Sequence, residues 1–294
     1  MFAAREDQKR PQEYRKESGN ETIGVRGREN APGSEKTVRA FWRIRVTEGE
    51  SARTMSEIVD LHTHILPGMD DGSKSAEMSL EMLRALAQAG VTTVCGTSHY
   101  YANQNDTAHF CARRERAVEA LRAAMPAGET LPRVLPAAEV AYFPHMEEHR
   151  LERLCVEHTR TLLLEMPFAE WTDLQAETVA TLALDQKFRV ILVHPERFCF
   201  SKGNRRKLER LVELPIGLQV NAASLMRWRT RKLSLELLEL TDLPLLGSDC
   251  HNTTTRPPNL KGGRDIVQRK LGEAFLAQMD ENAQRITAPC LAEV

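Results

Sequence analysis

The most informative segment of the sequence is Ile58-Val59-Asp60-Leu61-His62-Thr63-His64, in which a short apolar run ends in two histidines. The run has the length and the β-branched content of a buried strand. Apolar side chains then recur at helical spacing over Ser75–Ala89, Gly90 stands where a helix C-cap is expected, and a second apolar run follows at Val91–Cys95. This order predicts one strand–helix–strand unit.

The same alternation recurs along the chain to about residue 250. Candidate strands occupy Ile58–Leu61, Val91–Cys95, Val134–Ala138, Leu162–Leu164, Val190–Val193, Gly217–Val220 and Pro244–Leu246. Candidate helices lie between them at Ser75–Ala89, Ala108–Met125, His145–Val156, Asp173–Gln186, Arg205–Leu214 and Lys232–Thr241. Strands that alternate with single helices predict parallel strands joined by right-handed crossovers. We therefore predict an α/β protein, specifically a distorted (β/α)7 barrel.

Residue types that bind metals end or follow nearly every predicted strand. In a parallel barrel the carboxyl ends of the strands meet at one mouth, and residues i and i+2 of a strand face the same side. Imidazole nitrogens and carboxylate oxygens suit zinc, manganese or iron. The predicted ligands are His62, His64, Asp71, His99, Glu139, Glu165, His194, Asp249 and His251. So many groups exceed the four to six positions around one ion and fit two or three ions with a bridging carboxylate.

Each of these residues taken alone has a simpler interpretation. An H-x-H pair occurs often by chance, Glu165 can cap a strand, and Asp71 can be a turn residue beside Gly72. However, acids and histidines that directly follow apolar strands are costly to bury unless they are paired or bound to a metal. Their joint placement therefore favours a metal centre.

The composition gives no indication of a nucleic-acid or membrane protein. The 294 residues include 40 Lys plus Arg and 41 Asp plus Glu, and a formal net charge of −1 gives no basis for sequence-independent nucleic-acid binding. No apolar run approaches the roughly 20 residues that cross a bilayer, and the N-terminus lacks the apolar core of a secretory signal. The six cysteines form no C-x-x-C pair. We expect a cytoplasmic protein with reduced thiols.

Residues 1–56 differ from the rest of the chain. Charges of both signs are mixed there with Gly, Pro, Ser and Asn, so the segment cannot bury enough apolar surface to offset its chain entropy. We expect a disordered N-terminal extension followed by one domain over residues 57–294. Met55 stands just before the first strand, so two alternatives are open: a misassigned start, with translation beginning at Met55, and a regulatory tail.

Three further patterns point to other chemistries and are weaker. Cys199-Phe200-Ser201-Lys202-Gly203-Asn204-Arg205 has the C-x5-R spacing of thiol-dependent tyrosine phosphatases, but the strand has already ended at His194. His145-Met146-Glu147-Glu148-His149 lacks the glutamate position of H-E-x-x-H, which favours an exposed helix face. An amidohydrolase would share the H-x-H pair and the late aspartate but would place a lysine where this chain has Glu165.

The motifs resemble those of one known superfamily. The opening Asp60-Leu61-His62-Thr63-His64-Ile65-Leu66-Pro67-Gly68-Met69-Asp70-Asp71-Gly72 resembles the PHP (polymerase and histidinol phosphatase) superfamily, and more closely its bacterial metal-dependent protein-tyrosine phosphatases of the CpsB/YwqE type. The other matching motifs follow in order: Thr97-Ser98-His99, Ala138-Glu139-Val140, Leu164-Glu165-Met166, His194-Pro195-Glu196-Arg197-Phe198, Gln219-Val220-Asn221, Ser248-Asp249-Cys250-His251-Asn252 and Arg256-Pro257-Pro258. The resemblance covers about residues 57–285 and implies the PHP fold.

The resemblance implies three metal sites, with manganese as the expected ion and iron or zinc as alternatives. Their ligands would be His62, His64, Glu139 and Asp249 for one ion, Glu139, Glu165 and His194 for a second, and Asp71, His99 and His251 for a third. The nucleophile would be a hydroxide held between two metals.

Two arginines are the predicted substrate-binding residues. Arg197 and Arg256 are expected to bind phosphate because a guanidinium donates two parallel hydrogen bonds to it, with a surface ion pair as the alternative. Related enzymes often carry basic residues directly after the second-strand histidine, whereas this chain has Tyr100-Tyr101.

The implied activity is hydrolysis of phosphotyrosine in proteins. The implied partner is an autophosphorylating bacterial tyrosine kinase that regulates capsular or extracellular polysaccharide synthesis. The alternatives are a small-molecule phosphatase of the histidinol-phosphate kind, a phosphodiesterase or, in another class, a kinase-binding scaffold with structural metals. The number of ligands argues against the scaffold, because structural metal sites are usually closed and four-coordinate. No nucleic-acid partner or membrane insertion is expected, and assembly into a homo-oligomer is left open.

Overall fold

Seven parallel strands form one sheet at the centre of the molecule. The computed structural model describes residues 57–290, so the predicted extension over residues 1–56 lies outside the described residues. The strands pair in sequence order and span β1 Val59–Thr63, β2 Thr93–Tyr100, β3 Arg133–Ala141, β4 Thr161–Glu165, β5 Arg189–Val193, β6 Gly217–Asn221 and β7 Pro244–Gly247. The predicted α/β fold with a distorted (β/α)7 barrel is confirmed.

The first and last strands approach each other at their carboxyl ends. A parallel bridge joins Thr63 to Cys250, and the His64 amide donates to the Cys250 carbonyl at 2.9 Å. The Asp249 amide donates in turn to the His62 carbonyl at 2.8 Å. These contacts nearly close the barrel. They bring the H-x-H segment (His62–His64) beside the D-x-H segment (Asp249–His251).

Helices cover the outside of the sheet. They span α1 Ala76–Gln88, α2 Thr107–Ala124, α3 Asp173–Leu184, α4 Lys202–Leu211, α5 Ala222–Met226, α6 Trp228–Glu239, α7 Leu260–Leu271 and α8 Glu273–Thr287. Helix α1 is capped by Ser75, whose hydroxyl accepts from the Met78 amide at 3.3 Å. Gly90, the glycine predicted at its C-terminal end, follows the cap residue Ala89 and has a φ of 84°. Within residues 57–290, no helix combines the length and the apolar character needed to span a membrane.

One predicted helix is wrong, and three helices, α5, α7 and α8, were not among the candidates. The segment His145–Val156 forms two 3₁₀ turns, Met146–Glu148 and Glu152–Leu154, instead of an α-helix. His145 is in the left-handed region with a φ of 60°, and the chain becomes extended again at His149, so neither turn propagates. Helices α7 and α8 follow the last strand and were not predicted.

Helix α8 closes the amino end of the barrel. The Ile286 carbonyl accepts from the hydroxyl of Thr161, the first residue of β4, at 2.6 Å. Asn282 donates to the carbonyl of Pro244, the first residue of β7, at 3.4 Å. Ile286 also belongs to an apolar cluster with Leu163 and Ile191, which fills the barrel interior. The opposite, carboxyl end therefore remains for the polar side chains.

Candidate metal centre

The nine predicted ligands lie together at the carboxyl end of the barrel. They form four overlapping groups, and within each group one nitrogen or oxygen atom per residue lies within 4.8 Å of the others. The groups are His62, His64 and Asp249; His62, Glu139 and His194; His99, Glu139 and Glu165; and His64, Asp71, His99 and His251. These residues come from the four strands β1 to β4 and from the loops after β1, β5 and β7. Their convergence follows from the shared direction of the strands.

Glu139 lies at the centre of the cluster. Its Oε1 atom is 2.7 Å from His194 Nε2, and its Oε2 atom is 3.1 Å from His62 Nε2 and 3.3 Å from His64 Nε2. Oε2 is also 2.9 Å from His99 Nδ1. One buried carboxylate therefore contacts four imidazoles and belongs to two of the candidate groups, so it could serve more than one cation.

Outer contacts orient three of the imidazoles. His62 Nδ1 lies 2.8 Å from Gln219 Oε1, His64 Nδ1 lies 2.8 Å from Asp70 Oδ2, and His251 Nδ1 lies 3.0 Å from the Asp249 carbonyl. Each acceptor places the ring proton on Nδ1 and leaves the Nε2 lone pair free. Metal-binding histidines are oriented in this way.

A tight loop brings Asp71 to the cluster. The Asp70 carboxylate accepts from the amides of Gly72 and His99, both at 2.9 Å. A β-carbon on Gly72 would lie 2.3 Å from the His64 carbonyl oxygen, so only glycine fits. The loop places Asp71 Oδ1 3.3 Å from His251 Nε2 and 3.5 Å from His99 Nε2.

The electrostatics of the cluster favour a bound cation. Burial opposes ionisation of Glu139, but His62 and the other imidazoles outweigh it and hold the Glu139 pKa well below its usual range. Burial likewise opposes a charge on His62, and Glu139 and Asp249 outweigh it and raise the His62 pKa. Buried carboxylates of this kind require positive charge beside them.

Two of the imidazoles are neutral at physiological pH. Burial lowers the pKa of His194 to about 4 and that of His251 to about 4, against the raising effect of the neighbouring carboxylates. A neutral imidazole offers a lone pair to a metal without first losing a proton.

The donor set fits divalent transition metals. Among the described residues, Glu139 Oε2, His99 Nδ1 and His251 Nε2 are buried and make no hydrogen bond. Buried polar atoms usually have a hydrogen-bond partner, and these ligand atoms face other ligand atoms at 2.9–3.3 Å without forming one, which indicates that a cation completes the cluster. Imidazole nitrogens mixed with carboxylate oxygens suit manganese, iron or zinc.

The two predicted phosphate-binding arginines flank the cluster. Arg197 Nη2 and Arg256 Nη2 both contact the Asp249 carboxylate, the latter at 2.8 Å. Their side chains are 36% and 38% exposed, so each guanidinium reaches from the buried acid to the surface.

The tyrosines after the second-strand histidine have different positions. Tyr100 is buried against Phe110 with its hydroxyl 3.2 Å from Thr107 Oγ1, and it belongs to the core. Tyr101 stacks on the His99 ring with 5.4 Å between centroids, so it borders the cluster. Tyr101 is therefore the residue at the site in place of a basic side chain.

The C-x5-R motif over residues 199–205 and the histidine pair His145 and His149 both lie outside the cluster. Cys199 is buried, and burial raises the pKa of its thiol to about 12, while Arg205 pairs with Glu209 at 3.0 Å. His145 and His149 are exposed on the first 3₁₀ turn and its end. Neither pattern contributes a residue to the four metal-binding groups of the described chain.

The supporting residues Gln219, Asp70 and Asn221 were not predicted as site residues. Asn221 donates to Asp249 Oδ2 at 2.8 Å and accepts from Gln219 Nε2 at 2.9 Å, which links the two ligands Asp249 and His62. Each lies within a motif of the sequence analysis, and that placement was the available signal.

Fold and cluster together define a β/α-barrel protein with several groups of candidate metal ligands at one end of the barrel. The chain belongs to the CpsB/CapC family of capsular polysaccharide synthesis proteins, whose sequence profile matches residues 58–288. The resemblance found in the motifs is thereby confirmed.

This chain is also similar to individual proteins and to a solved structure of this kind. The chain is 28% identical to the tyrosine-protein phosphatase YwqE of Bacillus subtilis over 232 residues, covering 77% of this chain and 90% of the relative. It is 26% identical to the tyrosine-protein phosphatase CpsB of Streptococcus pneumoniae, covering 73% of this chain and 91% of the relative. A crystal structure from work on YwqE and CpsB, described there as metal-dependent tyrosine phosphatases, matches with a TM-score of 0.68 at 26% identity, covering 78% of this chain and 94% of the other.

Proposed function

We propose that this chain is a metal-dependent protein-tyrosine phosphatase that hydrolyses the phosphate monoester of phosphotyrosine. The observation that carries the proposal is the convergence of nine ligand residues around the buried Glu139 carboxylate. The names of the family relatives support the choice of substrate. The proposed ligands are His62, His64, Asp71, His99, Glu139, Glu165, His194, Asp249 and His251.

The residues of the centre have different roles. Divalent cations, when bound, lower the pKa of a coordinated water and supply positive charge to the phosphoryl oxygens. Glu139 and Asp249 would hold the cations together with the imidazoles beside them, and the outer contacts of Gln219 and Asp70 keep the imidazoles oriented. Arg197 and Arg256 lie beside Asp249 at the surface, where their guanidinium groups can bind the charged phosphate.

The family description supports a role in capsular polysaccharide synthesis. We propose a protein substrate, namely an autophosphorylating tyrosine kinase that regulates this synthesis. Manganese is the proposed ion, because the mixed nitrogen and oxygen donors suit it. Iron and zinc are the alternatives that metal analysis would distinguish.

The test measures the rates at which the chain hydrolyses p-nitrophenyl phosphate and a phosphotyrosine peptide. EDTA should abolish turnover of both, and manganese should restore it. His62→Ala should reduce turnover by at least about 100-fold, the upper end of the loss seen when a residue supporting a metal ligand is removed. Cys199→Ser should keep near-normal activity, since the thiol is buried and protonated.

Other outcomes would overturn the proposal. If Cys199→Ser were inactive and EDTA had no effect, a thiol mechanism would replace the metal mechanism. If histidinol phosphate or a phosphodiester were turned over in preference to the peptide, the enzyme would be a small-molecule phosphatase or phosphodiesterase. Metal binding without turnover of any phosphate ester would make the centre structural.

A further inference from the structure

Three exposed aromatic side chains stand in the segments that follow three neighbouring strands of the barrel. Phe168 is 56% exposed, Phe200 is 70% exposed and Trp228 is 78% exposed. Within residues 57–290 these are all of the exposed Phe and Trp side chains, and they follow the consecutive strands β4, β5 and β6. Scattered exposed apolar residues are ordinary, but several at one mouth form a patch that indicates binding. We call these three residues the aromatic arc.

Buried contacts hold two of the arc residues in place. Asn204 is fully buried and donates to the carbonyls of Ala169 at 3.0 Å and Phe198 at 3.1 Å. Its Oδ1 atom accepts from the Trp171 amide at 2.8 Å, and the Trp171 and Phe198 rings pack with 4.7 Å between centroids. These hydrogen bonds and the ring contact connect the loops that carry Phe168 and Phe200. Both aromatic side chains are therefore exposed on loops that buried contacts hold in place.

The arc begins at the metal centre. The Phe168 ring lies 6.1 Å from the ring of His194, centroid to centroid. Helix α6, which begins with Trp228, packs against the 3₁₀ turn Pro195–Arg197. That turn carries Arg197, which reaches Asp249. Phe168 thus borders the cluster directly, and the helix that begins with Trp228 packs on the turn that carries Arg197.

Cations accompany the aromatic side chains. Lys202, Arg227 and Arg229 are exposed, lie within two residues of Phe200 or Trp228, and form no ion pair with a described residue. The Arg229 guanidinium lies 5.2 Å from the centroid of the Trp228 ring. Exposed aromatic side chains with unpaired cations next to them in the chain match a segment that has apolar and acidic residues.

We propose that the aromatic arc binds the polypeptide on either side of the phosphotyrosine and selects segments with apolar and acidic neighbours. This inference rests on the proposed function, because the arc lies outside the metal centre and adds selectivity only for a polymeric substrate. The side chain that carries the phosphate needs only the cluster and the arginines. The neighbouring residues of the substrate contact Phe168, Phe200 and Trp228.

The test compares two phosphotyrosine peptides of equal length, one with Leu and Glu neighbours and one with Gly and Ser neighbours. With the manganese-loaded full chain, kcat/KM should favour the first peptide by about tenfold or more, as expected when aromatic anchors contribute to an interface. Phe200→Ser and Trp228→Ser should each reduce this preference about tenfold through KM. Leu184→Ser is the matched control, because Leu184 is 39% exposed at the far end of α3, and it should keep the wild-type preference.

A binding measurement provides a readout independent of turnover. The same two peptides, with a hydrolysis-resistant phosphonate in place of the phosphate, should show the same difference in Kd by fluorescence anisotropy. Equal kcat/KM for both peptides, or an unchanged preference in both serine variants, overturns the role of the arc and leaves the proposed function intact.

Two further outcomes would also overturn the inference. If the wild-type chain turns over p-nitrophenyl phosphate but neither peptide, the proposed function itself fails. If sedimentation shows that Phe200→Ser or Trp228→Ser dissociates a dimer, a second copy of the chain covers the arc in place of the substrate.

Discussion

The Nδ1 atom of His62 lies 2.8 Å from the Oε1 atom of Gln219, which is 157 positions further along the chain. The orientation of the Gln219 amide is set by its other end, because Nε2 donates to Asn221 Oδ1 at 2.9 Å. An amide oxygen can only accept, so His62 carries a proton on Nδ1 and turns Nε2 toward the ligand cluster around Glu139. Strand β6 thereby sets the tautomer of a ligand on β1.

Loss of this contact should weaken metal binding without removing a ligand. Gln219→Leu leaves the His62 ring free to rotate and to change tautomer, and outer contacts of this kind typically contribute about 10–100-fold to metal affinity. We therefore expect the Kd for manganese, measured by isothermal titration calorimetry, to rise by that factor. Gln219→Glu keeps an acceptor at the same place and should retain tight binding. Equal affinity of Gln219→Leu and the wild type would contradict the role of this contact.

The loop that positions Asp71 should not tolerate a side chain at Gly72. An added β-carbon would clash with the carbonyl oxygen and Cβ of His64, and overpacking of this kind costs about 1–3 kcal/mol. Gly72→Ala should lower the melting temperature and also reduce the additional stabilisation caused by manganese, because His64 and Asp71 both move.

Gly128→Ala is the control for backbone strain. Gly128 has a φ of 85° and no atom within 4 Å of an added β-carbon, so this variant pays the left-handed conformational cost alone. It should lower the melting temperature while keeping the full manganese-dependent shift. If the two alanine variants lost the same share of that shift, the close approach at Gly72 would not matter for the centre.

Metal affinity should fall as the pH falls through 7, in part because of Glu165. Burial, together with the Glu139 carboxylate, raises the pKa of Glu165 to about 7. A metal binds the deprotonated carboxylate, so below that pH each binding event must displace a proton. Glu165→Gln cannot release this proton. At pH 6, titration calorimetry in buffers of different ionisation enthalpy should find about one proton fewer released than in the wild type.

A matched variant separates this effect from general charge loss. Glu148 is 73% exposed on the first 3₁₀ turn, and Glu148→Gln should release as many protons as the wild type. Equal proton release by Glu165→Gln and the wild type would show that Glu165 is not a ligand or is already ionised at pH 6.

The strands and their polar ends could be predicted because both depend on local patterns. An apolar run followed by His62 or His194 identifies a buried strand, and the shared direction of parallel strands brings their ends together. The contact of Gln219 with His62 depends on register across the nearly closed barrel, which no local pattern encodes. The segment His145–Val156 has helical spacing, but the backbone is extended at His149 and again at Cys155, so only two short 3₁₀ turns form.

The reactivity of the thiols tests whether Cys199 is a buried structural residue and not a catalytic nucleophile. All six cysteines lie in the described chain, and only Cys290 is exposed. Burial raises the pKa of Cys199 to about 12 and that of Cys155 to about 12, so neither forms the reactive thiolate at neutral pH. A thiol reagent at pH 7.5 should therefore label one cysteine quickly, and Cys290→Ser should remove that reaction. Labelling of the other five should require denaturant, because the thiols are reached only when the core opens. Rapid labelling of Cys199 in the folded chain, accompanied by loss of phosphatase activity, would contradict this assignment and restore the C-x5-R pattern as a candidate site.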